Sequence, residues 1–363
     1  MSGVLETIER RLRRLTEMQR TRAVAQAGAA LREVWRAGKQ PDLVKLRAHL
    51  LYAREEGQQP PLTHLLNPRG IALRFYLLAV FEAHCRLNIG EPWKNVRSLA
   101  RERLSWSDFV AIDGAYDTKT GAYMPDTKQE RNSEVLRLRQ IQGALRSLED
   151  FDLGRSLVTV PRAKNGGRRL YGSFSLMSEE GRGDLQTSHA YTVPRKGWNG
   201  KRTLAFTIPA DFFLNGWVQV LNPSEVATWL ILRELSQYAP TKHDEEGVYL
   251  YGKRRIEDFG LKRDAWQDSC HLLRKLGLIR YYSQESREGG DGEPDGGIVS
   301  SGWGDFFAQQ LRDRYEPHRY QMTDQGLTQD ALQGCIKEVT LLRAEARRKR
   351  GASVPAQPSG RTV

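Results

Sequence analysis

Two glycines, Gly260 and Gly277, divide one stretch of the chain into segments of different periodicity. Before Gly277, apolar residues recur at helical spacing, at Trp266, Cys270, Leu273 and Leu276. Glycine readily adopts the left-handed conformation in which many helices end. The pattern therefore predicts helices over 255–259 and 263–276, separated by a tight turn at Gly260 and followed by a strand over 278–282.

A helix start of the same chemistry occurs twice, in Leu66-Asn67-Pro68 and in Leu221-Asn222-Pro223. Asparagine accepts hydrogen bonds from the first turn of a helix, and proline at the first helical position loses no hydrogen bond. Glu225 stands three residues after Asn222 and can complete a capping box. We interpret the two starts as the openings of a first and a second unit of similar organisation.

Each unit then shows a comparable order of elements. In the second unit, a short strand over 248–251 precedes the two helices around Gly260. In the first unit, an apolar helix after Pro68 is followed by an element over 93–104 and by a helix over 132–150. The apolar face of that last helix comprises Leu138, Ile141, Leu145 and Leu148.

A β-hairpin is predicted at the end of the first unit, because strands over 157–160 and 169–176 flank the turn residues Asn165-Gly166-Gly167. Between the units, 203–209 and 216–220 are predicted to be short strands that connect one domain to the next. Residues 1–58 are predicted to be charged helices, with Leu5, Ile8, Leu12 and Leu15 on one stripe. The stripe is short, so we favour packing on the body over a homodimeric coiled coil.

Lysine and arginine exceed aspartate and glutamate by 56 to 44, a net charge of +12, which favours a polyanionic partner. In the second unit, the donors outside the apolar helix face are Lys262, Arg263, Gln267, His271 and Arg274. In the first unit, the corresponding basic residues are Arg137 and Arg139 on the helix and Arg162, Lys164, Arg168 and Arg169 on the hairpin. Guanidinium, ammonium and amide groups of this kind can bind phosphates or base edges.

The second unit resembles the winged helix-turn-helix superfamily of DNA-binding domains. Phe259-Gly260-Leu261-Lys262-Arg263-Asp264 is similar to the turn between that fold's second and third helices, and 273–279 to the exit of the third helix into the wing. Residues 319–327 are similar to the return strand and the following helix start. The chain departs from the family between Tyr282 and Arg319, where about thirty-five residues replace a short loop.

The resemblance implies that the 263–276 helix enters the major groove of double-stranded DNA. Arg263 or Gln267 would then contact base edges, and Lys262, Arg274 and Arg280 would bind phosphates. The alternative is that these side chains form a solvated surface, since some winged helices bind only proteins.

Two such units in one chain resemble the tandem architecture of theta-type plasmid replication initiator proteins. That resemblance implies binding to repeated origin sequences, with 132–171 as a second contact and with host proteins supplying helicase and polymerase activity. A winged-helix transcriptional regulator is the alternative, and it predicts the same interface.

Enzymatic motifs are absent from the sequence: there is no phosphate-binding glycine loop followed by lysine, no paired-histidine motif and no Cys-x-x-Cys. We therefore expect no enzyme activity and no cofactor or metal. The minor alternative is a magnesium-dependent nuclease that uses Asp113, Asp117 and Asp126. Cys85 and Cys270 are expected to be core residues, like most free cysteines.

The sequence therefore predicts a mainly α fold with small β-sheets (α+β), divided into a helical segment (1–60), a first winged-helix-like domain (61–180), a strand-rich connector (181–220), a second winged-helix domain (221–345) and a basic tail (346–363) that is disordered beyond Gly351. No apolar run is long enough to span a membrane or to form a signal peptide, so we expect a cytoplasmic protein.

Overall fold

The computed structural model describes residues 2–52, 58–66, 71–111, 116–117, 122–123, 130–150, 155–164, 167–180, 189–195, 205–282 and 318–352. These residues are mainly helical, with small antiparallel sheets, which confirms the predicted fold class in its general form. None of the described helices is both long and apolar enough to cross a membrane.

Twelve α-helices occur in the described residues. They are α1 (Ser2–Arg20), α2 (Ala23–Ala37), α3 (Pro61–Leu66), α4 (Ala72–Arg86), α5 (Glu130–Glu149), α6 (Asp211–Leu214), α7 (Trp217–Val220), α8 (Pro223–Tyr238), α9 (Pro240–Glu246), α10 (Gly252–Phe259), α11 (Arg263–Lys275) and α12 (Ala331–Ala352). The capping residues Asn67 and Pro68, predicted to start the first unit, lie outside the described residues, and α4 begins at Ala72. Residues 93–104 form bends and turns rather than a helix.

Eight strands form four two-stranded antiparallel sheets within the same residues. They are β1 (Leu43–Arg47), β2 (Tyr116–Asp117), β3 (Ala122–Tyr123), β4 (Val158–Thr159), β5 (Ser175–Leu176), β6 (Ala205–Pro209), β7 (Ile279–Tyr281) and β8 (Tyr320–Met322). The pairs are β1 with β6, β2 with β3, β4 with β5, and β7 with β8. The sheet of β1 and β6 is the longest, running in register from Leu43 opposite Pro209 to Arg47 opposite Ala205.

The strand β1 corrects the prediction that residues 1–58 are entirely helical. Its side chains alternate in burial, with Val44 and Leu46 fully buried, as a strand with one face on the core requires. On the outer edges of the sheet, backbone groups of Lys45 and Thr207 form hydrogen bonds with side chains. The backbone N–H of Lys45 donates to Nε2 of His84 at 3.0 Å, and the amide of Gln237 bonds both the N–H (2.8 Å) and the C=O (2.9 Å) of Thr207.

The strand predicted over 203–209 is confirmed over Ala205–Pro209, with 203 and 204 outside the described residues, whereas the strand predicted over 216–220 is wrong. Gly216 has φ +88°, and the next four residues form the helical turn α7, all of them buried. The backbone at Gly216 turns the chain so that Trp217 faces the core and donates from Nε1 to the carbonyl oxygen of Leu327 at 3.1 Å. A run of four residues is too short for periodicity to distinguish a strand from a helical turn.

The helix α1 packs along α12, as the expectation of packing on the body requires. On α1, Leu15 and Met18 are buried, and Leu5, Ile8 and Leu12 are half-buried. The helix α12 continues past residue 346, where the basic tail was predicted to begin, as far as Ala352, and Arg347 donates to Glu9 of α1 at 2.6 Å. Residues 353–363 lie outside the described part of the chain.

One continuous apolar core runs through the described residues. Within it, Trp106 contacts the rings of Phe75, Phe109 and Phe174 at centroid distances of 5.2–5.7 Å. Contacts cross the boundaries predicted at 60, 180 and 220: β1 pairs with β6 across the first two, and α1 packs on α12 across all three.

Candidate nucleic-acid interface

The helix α8 begins as the sequence predicts. Its capping residue Asn222 and Glu225 form a reciprocal capping box, in which the backbone N–H of Asn222 donates to Oε2 of Glu225 at 2.9 Å. Trp229 and Leu230 are fully buried. The helix α8 therefore provides a rigid base on which α11 packs.

The turn between α10 and α11 is held by backbone and side-chain hydrogen bonds. Gly260 has φ +62°, as predicted, although α10 begins at Gly252, three residues earlier than expected. The buried Arg255 donates from Nε to the carbonyl oxygen of Leu261 at 3.0 Å, and the N–H of Leu261 donates to the carbonyl oxygen of Arg255 at 3.2 Å. These two bonds fix the direction in which α11 leaves the turn.

A segment distant in the sequence also supports this turn. Thr63 of α3 donates from Oγ1 to the carbonyl oxygen of Phe259 at 2.8 Å, and a methyl group at Gly260 would overlap the side chain of Thr63. Arg155 donates to the carbonyl oxygen of Gln59 at 2.8 Å. The segment 59–63 therefore contacts both the α10–α11 turn and the chain that leads into β4. Sequence analysis missed this support because no local pattern marks it.

The helix α11 separates an apolar face from a polar one, as predicted. Its apolar residues are buried, namely Trp266, Cys270, Leu273 and Leu276. Lys262, Arg263, Gln267 and His271 are exposed. Their side chains form no hydrogen bond or ion pair with any other residue that the structure describes, so their polar groups face solvent.

Arg274 and Arg280 differ from these four residues. The Arg274 guanidinium lies over the ring of Tyr281 at 4.5 Å, and Arg274 is half-buried. Arg280 is exposed on β7 and donates from Nε to Oε1 of Gln321 at 2.9 Å. Both cations are held at the junction between α11 and the β7–β8 hairpin, where the sequence predicts phosphate contacts.

The C-terminal end of α11 has the predicted glycine cap. Gly277 has φ +68°, and the backbone N–H of Leu278 donates to the carbonyl oxygen of Leu273 at 2.9 Å. Gly326 lies so close that a methyl group there would overlap the Gly277 carbonyl. Only glycine at position 326 permits this approach of the segment after β8 to the end of α11.

The strand predicted over 248–251 is reduced to a single bridge. The backbone groups of Val248 and Tyr320 exchange hydrogen bonds of 2.6 and 2.7 Å, which places Val248 beside β8. The order along the second unit is α8, the short helix α9, the bridge at Val248, α10, the turn at Gly260, α11 and the β7–β8 hairpin, and α9 was not predicted. The long insertion at the hairpin tip, residues 283–317, lies outside the described residues.

The local electrostatics favour a neutral imidazole on the exposed face. Partial burial, and then the positive charges of Arg274 and Lys275, lower the pKa of His271. Partial burial, and then the charge of Asp264, raise the pKa of Asp268. At neutral pH His271 therefore offers one donor and one acceptor.

In the first unit, α5 buries Ile141, Leu145 and Leu148, and Leu138 is half-buried, so the predicted apolar face is confirmed. Arg139 is exposed, and Arg137 is half-buried. Arg137 lines a cleft of about 540 Å³ between α2 and residues 101–110. The two arginines therefore do not share one surface environment.

The predicted hairpin is confirmed where β4 and β5 pair, but the strand predicted over 169–176 is shorter than expected, because Tyr171–Ser173 form a 3-10 helix. Beyond the paired strands, Arg162 and Arg169 form an isolated bridge, and the N–H of Ala163 donates to the carbonyl oxygen of Arg168 at 3.0 Å. Arg162, Lys164 and Arg168 are exposed, whereas Arg169 donates to Oε2 of Glu149 at 2.7 Å and is thereby paired. The turn residues Asn165 and Gly166 lie outside the described residues.

The nuclease alternative rests on residues of which the structure describes little. Asp113 and Asp126 lie outside the described residues, and Asp117 lies in β2 with its side chain not described. Among the described residues, no group of three or more histidine, cysteine or acidic side chains could hold a metal ion. Cys85, Cys270 and Cys335 are free and buried, and burial raises the pKa of each thiol to about 12.

Comparison of the chain with protein-family models, with curated proteins and with solved structures found no match in any of the three.

Proposed function

We propose that this chain binds specific sequences of double-stranded DNA through α11, within a winged helix-turn-helix formed by residues 221–327. The observation that carries the proposal is the exposed face of α11, where Lys262, Arg263, Gln267 and His271 present donors that the described residues leave unpaired. A helix that inserts into the major groove needs such a face together with a rigid base, and the buried face of α11 on α8 supplies that base.

The element order and the hairpin support the same assignment. The β7–β8 hairpin leaves the end of α11 through the Gly277 cap, so Arg280 lies where a wing would reach a neighbouring phosphate. The net charge of +12 supports binding to a polyanion.

We further propose that the protein is a replication initiator of the plasmid type, acting at directly repeated origin sites. The support is the second basic hairpin, β4–β5, which follows α5 in the same order in which β7–β8 follows α11. The segment 59–63 forms hydrogen bonds both with the chain leading into β4 and with the α10–α11 turn. A transcriptional regulator would use the same α11 surface at a different arrangement of sites.

The experiment is selection of bound fragments from random DNA and from DNA neighbouring the gene, at two salt concentrations. Arg263→Ala is compared with wild type, and Arg36→Ala, at an exposed position of α2 that belongs to neither hairpin, is the matched control. If Arg263 contacts a guanine, its loss lowers discrimination between sites by about 1–3 kcal/mol, whereas Arg36→Ala leaves discrimination unchanged.

The selected sequences distinguish the two biological roles. Directly repeated sites, lost in Arg263→Ala, support the initiator, whereas a single palindrome supports the regulator. If no sequence is enriched and the binding disappears at the higher salt, the proposal of specific recognition is wrong.

A further inference from the structure

Arginines on α1 and α12 carry more positive charge than the neighbouring carboxylates neutralise. Arg347 of α12 donates from Nη2 to Oε1 of Glu9 on α1 at 2.6 Å. Arg13 lies four residues after Glu9, and Arg343 lies four residues before Arg347, so each is one helical turn from this ion pair. The hydrogen bond from Arg347, and then the charges of Arg347, Arg343 and Arg13, lower the pKa of Glu9. Three guanidinium groups therefore act on one carboxylate.

The positive charge continues to the end of α12. Arg348 and Lys349 are exposed, and so is Arg13. The side chains of these three residues form no hydrogen bond or ion pair with other residues in the part of the chain that the structure describes. We call the set Arg13, Arg343, Arg347, Arg348 and Lys349 the α1–α12 basic patch.

The patch lies on a helix that comes close to the C-terminal end of α11. At one end, a Cβ at Gly334 of α12 would lie 3.6 Å from Cδ2 of Leu276, which follows α11. Three turns later, the charge of Glu345 acts on His271, on the exposed face of α11. Arg348 follows Glu345 by about one more turn, on the same side of α12. The helix α12 therefore leads from the C-terminal end of α11, near His271, to the patch.

We propose that the α1–α12 basic patch binds backbone phosphates of the same DNA duplex that α11 enters, flanking the sequence that α11 contacts. The inference rests on the proposed function. Crowded cations that the fold leaves without carboxylates are stabilised by a polyanion, and the closest polyanion to α11 in the complex is the duplex itself. Such contacts carry no sequence information and strengthen the salt dependence of binding.

The test compares the full-length double variant Arg13→Gln/Arg348→Gln with wild type on the DNA site that the selection identifies. Both residues are exposed, so their replacement preserves the core. The matched control is Arg36→Gln/Lys94→Gln, which removes the same charge from two exposed residues at the end of α2 and after α4. Affinity is measured from 50 to 200 mM salt, for the selected site and for a scrambled duplex.

We expect the slope of log affinity against log salt to become shallower by about two in the patch variant, because each lost phosphate contact removes roughly 0.9. Over the salt range, the patch variant then loses about tenfold less affinity than wild type. Its preference for the selected site over the scrambled duplex stays unchanged, and the control keeps the wild-type slope.

Equal slopes in the wild type and the patch variant would contradict the proposal that the α1–α12 basic patch binds phosphates, while leaving the proposed recognition by α11 intact. An equal change in the patch variant and the control would also overturn it, because the effect would then belong to net charge and not to position. Absence of specific DNA binding by the wild type would instead contradict the proposed function, and the proposal for the basic patch, which rests on it, would fail as well.

Discussion

Arg11 of α1 and Glu225 of α8 form a two-pronged ion pair in which Nη2 lies 2.8 Å from Oε2 and Nη1 donates to Oε1. The same carboxylate accepts the backbone N–H of Asn222 and so caps α8. Glu225 is only 4% exposed, so the pair lies in the protein interior. One carboxylate therefore joins the N-terminal helix to the base on which α11 packs.

Removing one partner of this pair should destabilise the protein strongly. We expect Glu225→Gln to lower the free energy of unfolding by about 3–5 kcal/mol, because the mostly buried Arg11 then lacks its counter-charge. Urea unfolding measures the loss, and the double variant Arg11→Met/Glu225→Gln should be more stable than Glu225→Gln alone. If the losses of stability in the two single variants simply add up in the double variant, the two side chains are not energetically coupled.

Gly260→Ala should cost more than Gly277→Ala, although both glycines have left-handed backbones. Each substitution carries the strain of that conformation, about 1–2 kcal/mol. At Gly260 the new methyl group also overlaps Cγ2 of Thr63, whereas at Gly277 the nearest atom is 3.9 Å away. Thermal unfolding compares the two variants. Adding Thr63→Ser, which keeps the hydroxyl, should recover part of the Gly260→Ala loss, and equal losses at the two glycines would refute the overlap.

His84 should make stability depend on pH. Its Nδ1 lies 2.9 Å from the Val80 carbonyl oxygen and its Nε2 accepts the Lys45 N–H, so the imidazole is neutral in the folded protein. Burial lowers its pKa from 6.5 to about 4. Because the unfolded state binds the proton more readily, the contribution of His84 is complete above pH 6.5 and is lost as the pH falls towards 4.

The measurement is the urea midpoint across this pH range for the wild type and for His84→Gln. The stability difference between the two proteins should shrink on acidification by up to about 3 kcal/mol, since one pKa unit corresponds to about 1.4 kcal/mol. A difference that stays constant with pH would show that His84 does not titrate in this way.

The β4–β5 hairpin should contact DNA without reading its sequence. We expect Arg162→Gln/Arg168→Gln to weaken binding to all sequences by a similar factor and to remove backbone protection at one edge of the footprint, because both residues are exposed beyond the paired strands. Hydroxyl-radical footprinting on the selected site measures this, with Arg36→Gln/Lys94→Gln as control. An unchanged footprint would exclude the hairpin as the second contact.

Local chemistry made much of the second unit predictable. Asn222 with Glu225, the turn at Gly260 and the cap at Gly277 are encoded within a few residues, and the structure shows each of them. The apolar spacing on α11 likewise determined which side chains are exposed, because a helix converts sequence spacing directly into faces.

Contacts between distant segments were not predictable in the same way. The residues around Leu43–Arg47 do not indicate that this strand pairs with Ala205–Pro209, because the pairing of two strands depends on the side chains of both. The support of the α10–α11 turn by Thr63 and the pairing of Arg11 with Glu225 are also long-range. The positive φ of Gly216 makes the next four residues a helical turn and not a strand, and the apolar pattern of the sequence does not predict this backbone conformation.

The packing of α1 on α12 has a consequence for the newly made protein. While the ribosome is still translating the intervening residues, α1 lacks the helix that packs along it, and β1 lacks its partner strand β6. The segments α1 and β1 therefore reach their final contacts only after β6 and α12 have been synthesised. Until then, the unpaired surfaces of α1 and β1 are the parts of the nascent chain that a chaperone would need to bind.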